Sequence, residues 1–235
     1  MNNYQPYYSD NSDQALDTRV SQVMKRVYVK MFLGLLVTAF VSLWCVQTPA
    51  VISFFATHSW SMWVLIAVEL GMVFAISGGI NRLSSSTATL LFFLFAVVNG
   101  LMLFPIFFAY TSTSIAKTFF ITAGVFGAMS VYGYFTSQDL TKIGSFLIMA
   151  LFGLIICVVV NMFLKSSTME WIISFAGVII FIGLTAWDTQ QIKRMALMAP
   201  TDTVSKLATL GALSLYLDFI NLFLYLLRFF GSSRD

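Results

Sequence analysis

Polar and apolar residues come in long blocks along this chain. A polar leader holding Tyr4, Tyr7, Tyr8 and three aspartates is followed by apolar runs over about 27–46, 63–80, 87–109, 118–135, 146–164, 171–189 and 207–230. A helix rising 1.5 Å per residue needs about 20 apolar residues to cross the hydrocarbon of a bilayer, and each run comes within a few residues of that. The pattern therefore predicts an all-α integral membrane protein of seven transmembrane helices. The runs are apolar on every side, so periodicity does not separate lipid-facing from buried faces. Short polar links leave no room for a separate soluble domain. Pro105 removes a backbone donor and, with Asn99-Gly100, is expected to kink or loosen the third helix.

Composition sharpens this picture. Of 235 residues 59% are hydrophobic and 10% charged, whereas soluble domains carry about 25% charged residues. One water-soluble core of this size could not enclose so much apolar surface, so lipid is the solvent for most of the chain. The division expected is a disordered cytoplasmic tail over 1–24, a seven-helix membrane domain over 25–231 and a short tail over 232–235. The leader has neither the early basic start nor the short apolar core of a secretory signal. With the N-terminus in the cytoplasm, the inner side holds Arg19, Lys25, Arg26, Lys30, Arg82, Lys142, Lys193, Arg194 and Lys206. The outer side holds Lys117, Lys165, Arg228 and Arg234, nine against four, which favours that orientation. Trp60, Trp63 and Trp171 then form an outer aromatic belt. Net charge is only +3 and the basic residues are scattered, which points away from nucleic acid. Cys45 and Cys157, inside apolar runs, read as small buried hydrophobes. His58 has no second histidine or cysteine cluster beside it for zinc. There is no HExxH site, nucleophile elbow or phosphate-binding glycine loop, so the chain is not expected to be an enzyme.

Most of the ten acidic residues lie in the leader or in loops; Glu69, Asp188 and Asp218 do not. An ionised side chain at bilayer depth costs roughly 3 kcal/mol on insertion scales, which makes such residues functional candidates. Asp218 lies in mid-helix, and Gly211, Ser214, Asn221 and Tyr225 share its face at steps of three and four. That stripe of small and polar residues faces protein or water, either as a working site or as a hydrogen-bonded seam between helices. Asp188 shares a face with Ser174, Gly177, Thr185 and Gln191, and is either a member of a site or a hydrated group near the surface. Glu69 either lines an outward-facing pore mouth or is a lone protonated acid bonded to a neighbouring helix. Arg82, after Gly78-Gly79, marks the cytoplasmic boundary or serves Asp188 as a counter-ion.

A meeting of Asp188 and Asp218 would have specific consequences. Two carboxyl groups in a poorly solvated site share a proton, and their titration belongs to the pair. In its doubly ionised form such a pair attracts a hard divalent cation through oxygen ligands. One geometric difficulty stands against the meeting, which requires that the helices tilt or that Lys206 lie outside the membrane boundary. Asp188 is five residues from Lys193, about 8 Å along a helix, while Asp218 is twelve from Lys206, about 18 Å.

Three stretches carry a resemblance: LSLYLDFINLFLYLLRFFG (213–231), GLTAWDTQQIK (183–193) and FGAMSVYGYFTSQDL (126–140), with GLMLFPIF (100–107) in agreement. Over nearly everything after the leader, the sequence resembles the bacterial branch of the Bax inhibitor-1 family, the proteins with the transmembrane BAX inhibitor motif. The resemblance implies seven helices, six surrounding a central C-terminal one. It further implies a pH-sensitive calcium leak in a bacterial cytoplasmic membrane, gated by an aspartate pair that falls on Asp188 and Asp218 as pH sensor and ion ligands. Protonation in such proteins rearranges the second helix, which plugs the cytoplasmic end of the pore. With the family's second-helix glutamate on Glu69, its latch arginine falls near Ile80, and Arg82 stands two positions later. Some members of the family are instead linked to regulating a membrane-bound AAA protease, which gives the alternative of a non-conducting regulator. In eukaryotes the family is linked to suppressing cell death.

Overall fold

The computed structural model describes residues 9–80, 82–198, 200 and 203–232. Among them the helices run in the order α1 (Ser9–Gln47), α2 (Pro49–Thr57), α3 (Trp60–Gly79), α4 (Ser85–Leu103), α5 (Ile106–Ala109), α6 (Ser112–Phe135), α7 (Thr141–Leu164), α8 (Ser167–Met198) and α9 (Val204–Phe230). Seven stretches are long and apolar enough to cross a membrane: Leu16–Gln47, Trp60–Gly79, Ser85–Ala109, Ser112–Phe135, Thr141–Leu164, Ser167–Met198 and Val204–Phe230. The protein is thus an all-helical seven-span membrane protein.

Helix ends depart most from the sequence pattern. The tail expected to be disordered over 1–24 is helical from Ser9, with residues 1–8 outside the described residues. The reason is a one-sided stripe: Val20, Val23, Met24, Val27 and Met31 are all at most 5% exposed and recur at helical spacing. Polar on its other side, this segment still has a face to bury, and α1 packs against α4, α8 and α9. The short α2, with Pro49 in its first turn and no buried residue, was hidden in the link before His58. The helix expected to end near Thr189 continues to Met198.

The third span is not loosened at Asn99-Gly100. α4 runs through both residues and ends at Leu103, and Pro105 begins the short α5. Gly100 is instead a point of close approach. A Cβ there would lie 2.7 Å from Val41 Cβ and 2.9 Å from the Thr38 carbonyl oxygen. In that space Ser42 Oγ donates to the Gly100 carbonyl at 2.8 Å and Thr38 Oγ1 to the Ala96 carbonyl at 2.8 Å. α1 and α4 are clamped by hydrogen bonds that only a small residue permits.

α9 is the most enclosed span. Of its apolar stretch 67% is buried, against 6% for α3. It packs on α1, α3, α4, α6 and α8, while α7 packs on α8. Tyr216, Leu215 and Leu222 of α9 are fully buried. Cys45 is buried, Cys157 half-buried, and both are free thiols.

Candidate functional site

α3, α4, α7, α8 and α9 line an open-sided cavity of about 830 Å³, and Glu69, Asp188, Ser214, Asp218, Asn221 and Tyr225 all stand on its wall. The stripe read along the last helix is therefore one lining surface. Its remaining member, Gly211, packs against Val27 and Ile192. Asp218 is 4% exposed and Asp188 is half-buried. Their carboxyl groups lie within hydrogen-bonding reach of each other across the α8–α9 interface. Carboxylates only accept, so such a bond requires a proton between them. Among the described residues no N–H or hydroxyl donates to Asp218 Oδ2, and Trp187 Nε1 on the same wall has no acceptor.

The geometric difficulty dissolves because Lys193 is not a boundary marker. Its ammonium donates to the Tyr134 carbonyl at 2.8 Å and sits 4.8 Å from the centre of the Tyr134 ring. α8 runs on from Asp188 to Met198 and α9 starts at Val204. The two aspartates thus sit about 15 and 21 Å from the adjoining helix ends, near enough for antiparallel neighbours to bring them level.

Glu69 stands midway along α3 because that helix begins at Trp60. Its Oε1 accepts a hydrogen bond from Asn99 Nδ2 on α4. Asn99 Oδ1 in turn accepts from Tyr216 Oη of α9 at 3.1 Å, and that hydroxyl is 2.6 Å from Thr38 Oγ1 of α1. One chain of polar groups therefore joins four spans at the cavity's edge. Sequence reading missed Asn99, Tyr216 and Thr38 as site residues. A neutral amide inside an apolar run was the available signal, since it too must find a partner in lipid.

Arg82 is exposed in the turn after α3, and among the described residues its guanidinium has no ion pair. The structure brings it to neither aspartate, so the latch and counter-ion roles expected for it are absent in this arrangement. Arg82 follows α3, the least buried of the spans. Arg228 stacks instead on Tyr225, with Cζ 5.6 Å from the ring centre.

Below the aspartates, α8 grips the α6–α7 loop. Gln190 accepts from the Leu140 amide at 2.9 Å and donates to the Gln138 carbonyl at 2.7 Å. Arg194 pairs with Asp139 and reaches Thr141 Oγ1, both at 2.7 Å. The hydrogen bonds from Thr141, with that from Arg194, hold the exposed Asp139 carboxyl down at about 2.

Among the described residues no three acidic, histidine or cysteine side chains converge on one point. The arrangement is a pair of carboxyl groups side by side among polar neighbours. These features define a class: a seven-span helical membrane protein with a carboxyl pair on the wall of a cavity between its spans. A family model described as inhibitor of apoptosis-promoting Bax1 matches residues 20–235. The chain belongs to the Bax inhibitor-1 family. Among its relatives is the inner membrane protein YbhL of Escherichia coli, 47% identical over 90% of this chain and 92% of that protein. An uncharacterized protein of Borreliella burgdorferi is 47% identical over 92% and 94%, and protein RP147 of Rickettsia prowazekii 43% over 96% and 95%.

Proposed function

We propose that this protein is a pH-sensitive calcium leak of a bacterial cytoplasmic membrane, with its N-terminus inside and its gate the proton shared by Asp188 and Asp218. The observation that supports this reading is the proximity of the two carboxyl groups on the wall of a cavity of about 830 Å³ lined by five spans. A shared proton closes the pair on itself. Its loss leaves two negative charges that repel each other and offer oxygen ligands to a hard divalent cation. Glu69 adds a third carboxyl to the same space, held by Asn99. α3, which carries it, is the least buried span and so the one that moves with least loss of packing.

The test is calcium flux into proteoliposomes across pH, comparing wild type with Asp188→Asn and Asp218→Asn. Both substitutions keep side-chain shape and remove the ionisable group. Each is expected to change the flux and its dependence on pH. Three identical curves would end the leak reading and leave that of a non-conducting regulator of a membrane protease.

A further inference from the structure

Away from the aspartate cavity, a groove of about 500 Å³ lies between the first half of α1 and the last turns of α6. One wall presents Ser21, Lys25 and Tyr28, the other Gly127, Ser130 and Tyr134, each set at steps of three and four. α1 and α6 both rest on α8 and α9, and the groove is the gap left between them. Val131 and Phe135 on its α6 wall are 59% and 76% exposed, so the gap opens to the bilayer.

Ser130 is 5% exposed, yet its Oγ has no hydrogen-bond partner among the described residues. Buried hydroxyls are normally satisfied, and in helices they commonly bond back to the carbonyl four residues earlier. Thr122, Thr185 and Thr189 do so here; Ser130 instead sits on the groove wall with a free donor. Gly127, one turn deeper, leaves open space: a Cβ there would meet nothing within 4 Å. Lys25 is exposed on the α1 wall, one turn toward the start of that helix from Tyr28, and the Lys193 ammonium lies against Tyr134 in the last turn of the antiparallel α6. The spacing fits one kind of molecule. Ser130 is five residues before Phe135, where α6 ends, or about 8 Å deep. The interfacial layer outside the hydrocarbon is about 5–8 Å thick on each side. A cation at the rim, a donor at the depth of the ester groups and an apolar trough below them follow the order of a phospholipid.

We infer that this groove binds one anionic phospholipid of the leaflet at the N-terminal end of α1. Lys25 faces its phosphate, Ser130 Oγ donates to a glycerol-ester carbonyl, and an acyl chain lies over Gly127. The full-length protein, purified in detergent and offered phosphatidylglycerol or phosphatidylcholine, is examined by native mass spectrometry. One phosphatidylglycerol is retained about fivefold better than phosphatidylcholine, and Lys25→Gln removes that preference, as expected for one lysine near a charged surface. Gly127→Phe fills the trough and weakens retention about tenfold or more with an unchanged melting temperature. Equal retention of the two lipids by wild type overturns the inference, as does undiminished retention by a folded Gly127→Phe. Should that variant fail to fold, a photoactivatable phosphatidylglycerol decides on wild type: crosslinks within residues 126–135 support the site, and crosslinks confined elsewhere refute it.

Discussion

Around Asp218, the helical steps to Ser214, Asn221 and Tyr225 identified cavity-lining residues from sequence alone, because one charged group in an apolar run fixes which face cannot meet lipid. Tyr216 gave no such signal. Two residues from Asp218, it reads as part of the greasy side, and its partners Asn99 and Thr38 come from spans 117 and 178 residues away. With Tyr216→Phe, Thr38 keeps its bond to the Ala96 carbonyl, but Asn99 Oδ1 loses its donor in a buried setting. Unfolding in mixed micelles should show a loss of about 1–3 kcal/mol, the usual penalty for a buried group left unpaired; an unchanged stability would mean the network is not formed. Glycines divide in a similar way. A Cβ on Gly133 would run into the Ala186 backbone of α8, lying 2.8 Å from its carbonyl carbon, whereas one on Gly127 would meet nothing within 4 Å. Backbone cannot rotate aside as a side chain can. Gly133→Ala should therefore destabilise by about 1–3 kcal/mol and Gly127→Ala should melt as wild type does. Equal melting temperatures for the two would contradict the close crossing of α6 and α8.

The number of spans was readable in the chain and most of their ends were not. Lipid imposes a length on an apolar run but says nothing about where a helix stops once it leaves the hydrocarbon. Lys193 and Arg194 looked like surface markers because charge ordinarily ends a span, yet both find protein partners, Tyr134 and Asp139, and α8 continues past them. The same partners tie α8, which carries Asp188, to the loop between α6 and α7. Asp139 gives this tie a pH dependence of known sign. Its carboxyl is held below the ordinary value, at about 2, by Thr141 first and Arg194 after it. A group depressed on folding adds stability above its unfolded value and loses it as pH falls through its folded one. Wild type should therefore melt above Asp139→Asn at pH 5–6, and the gap should close between about pH 4 and pH 2. Because the pair is exposed, the gap is small. A difference that persists unchanged to pH 2 would show that the ionised carboxylate is not the group that matters.

Seven crossings put the two ends of the described chain on opposite faces of the membrane, so a single choice fixes the side of every loop. Sequence supplies that choice through charge, and the fold keeps it consistent. Lys25, Arg82, Lys142 and Arg194 belong to the end where α1 begins, while Trp60, Trp63 and Trp171, each more than half exposed, stand together at the other. Translocation retains Lys and Arg on the cytoplasmic side, so the end with nine of thirteen basic residues should face inward. Two exposed serines at opposite ends make this measurable: Ser86 in the first turn of α4 and Ser167 at the start of α8. Each is replaced by cysteine in a chain lacking Cys45 and Cys157. In intact cells a membrane-impermeant maleimide should label Ser167→Cys at once and Ser86→Cys only after permeabilisation. The reverse pattern would invert the protein and put the loop that α8 grips on the outer side.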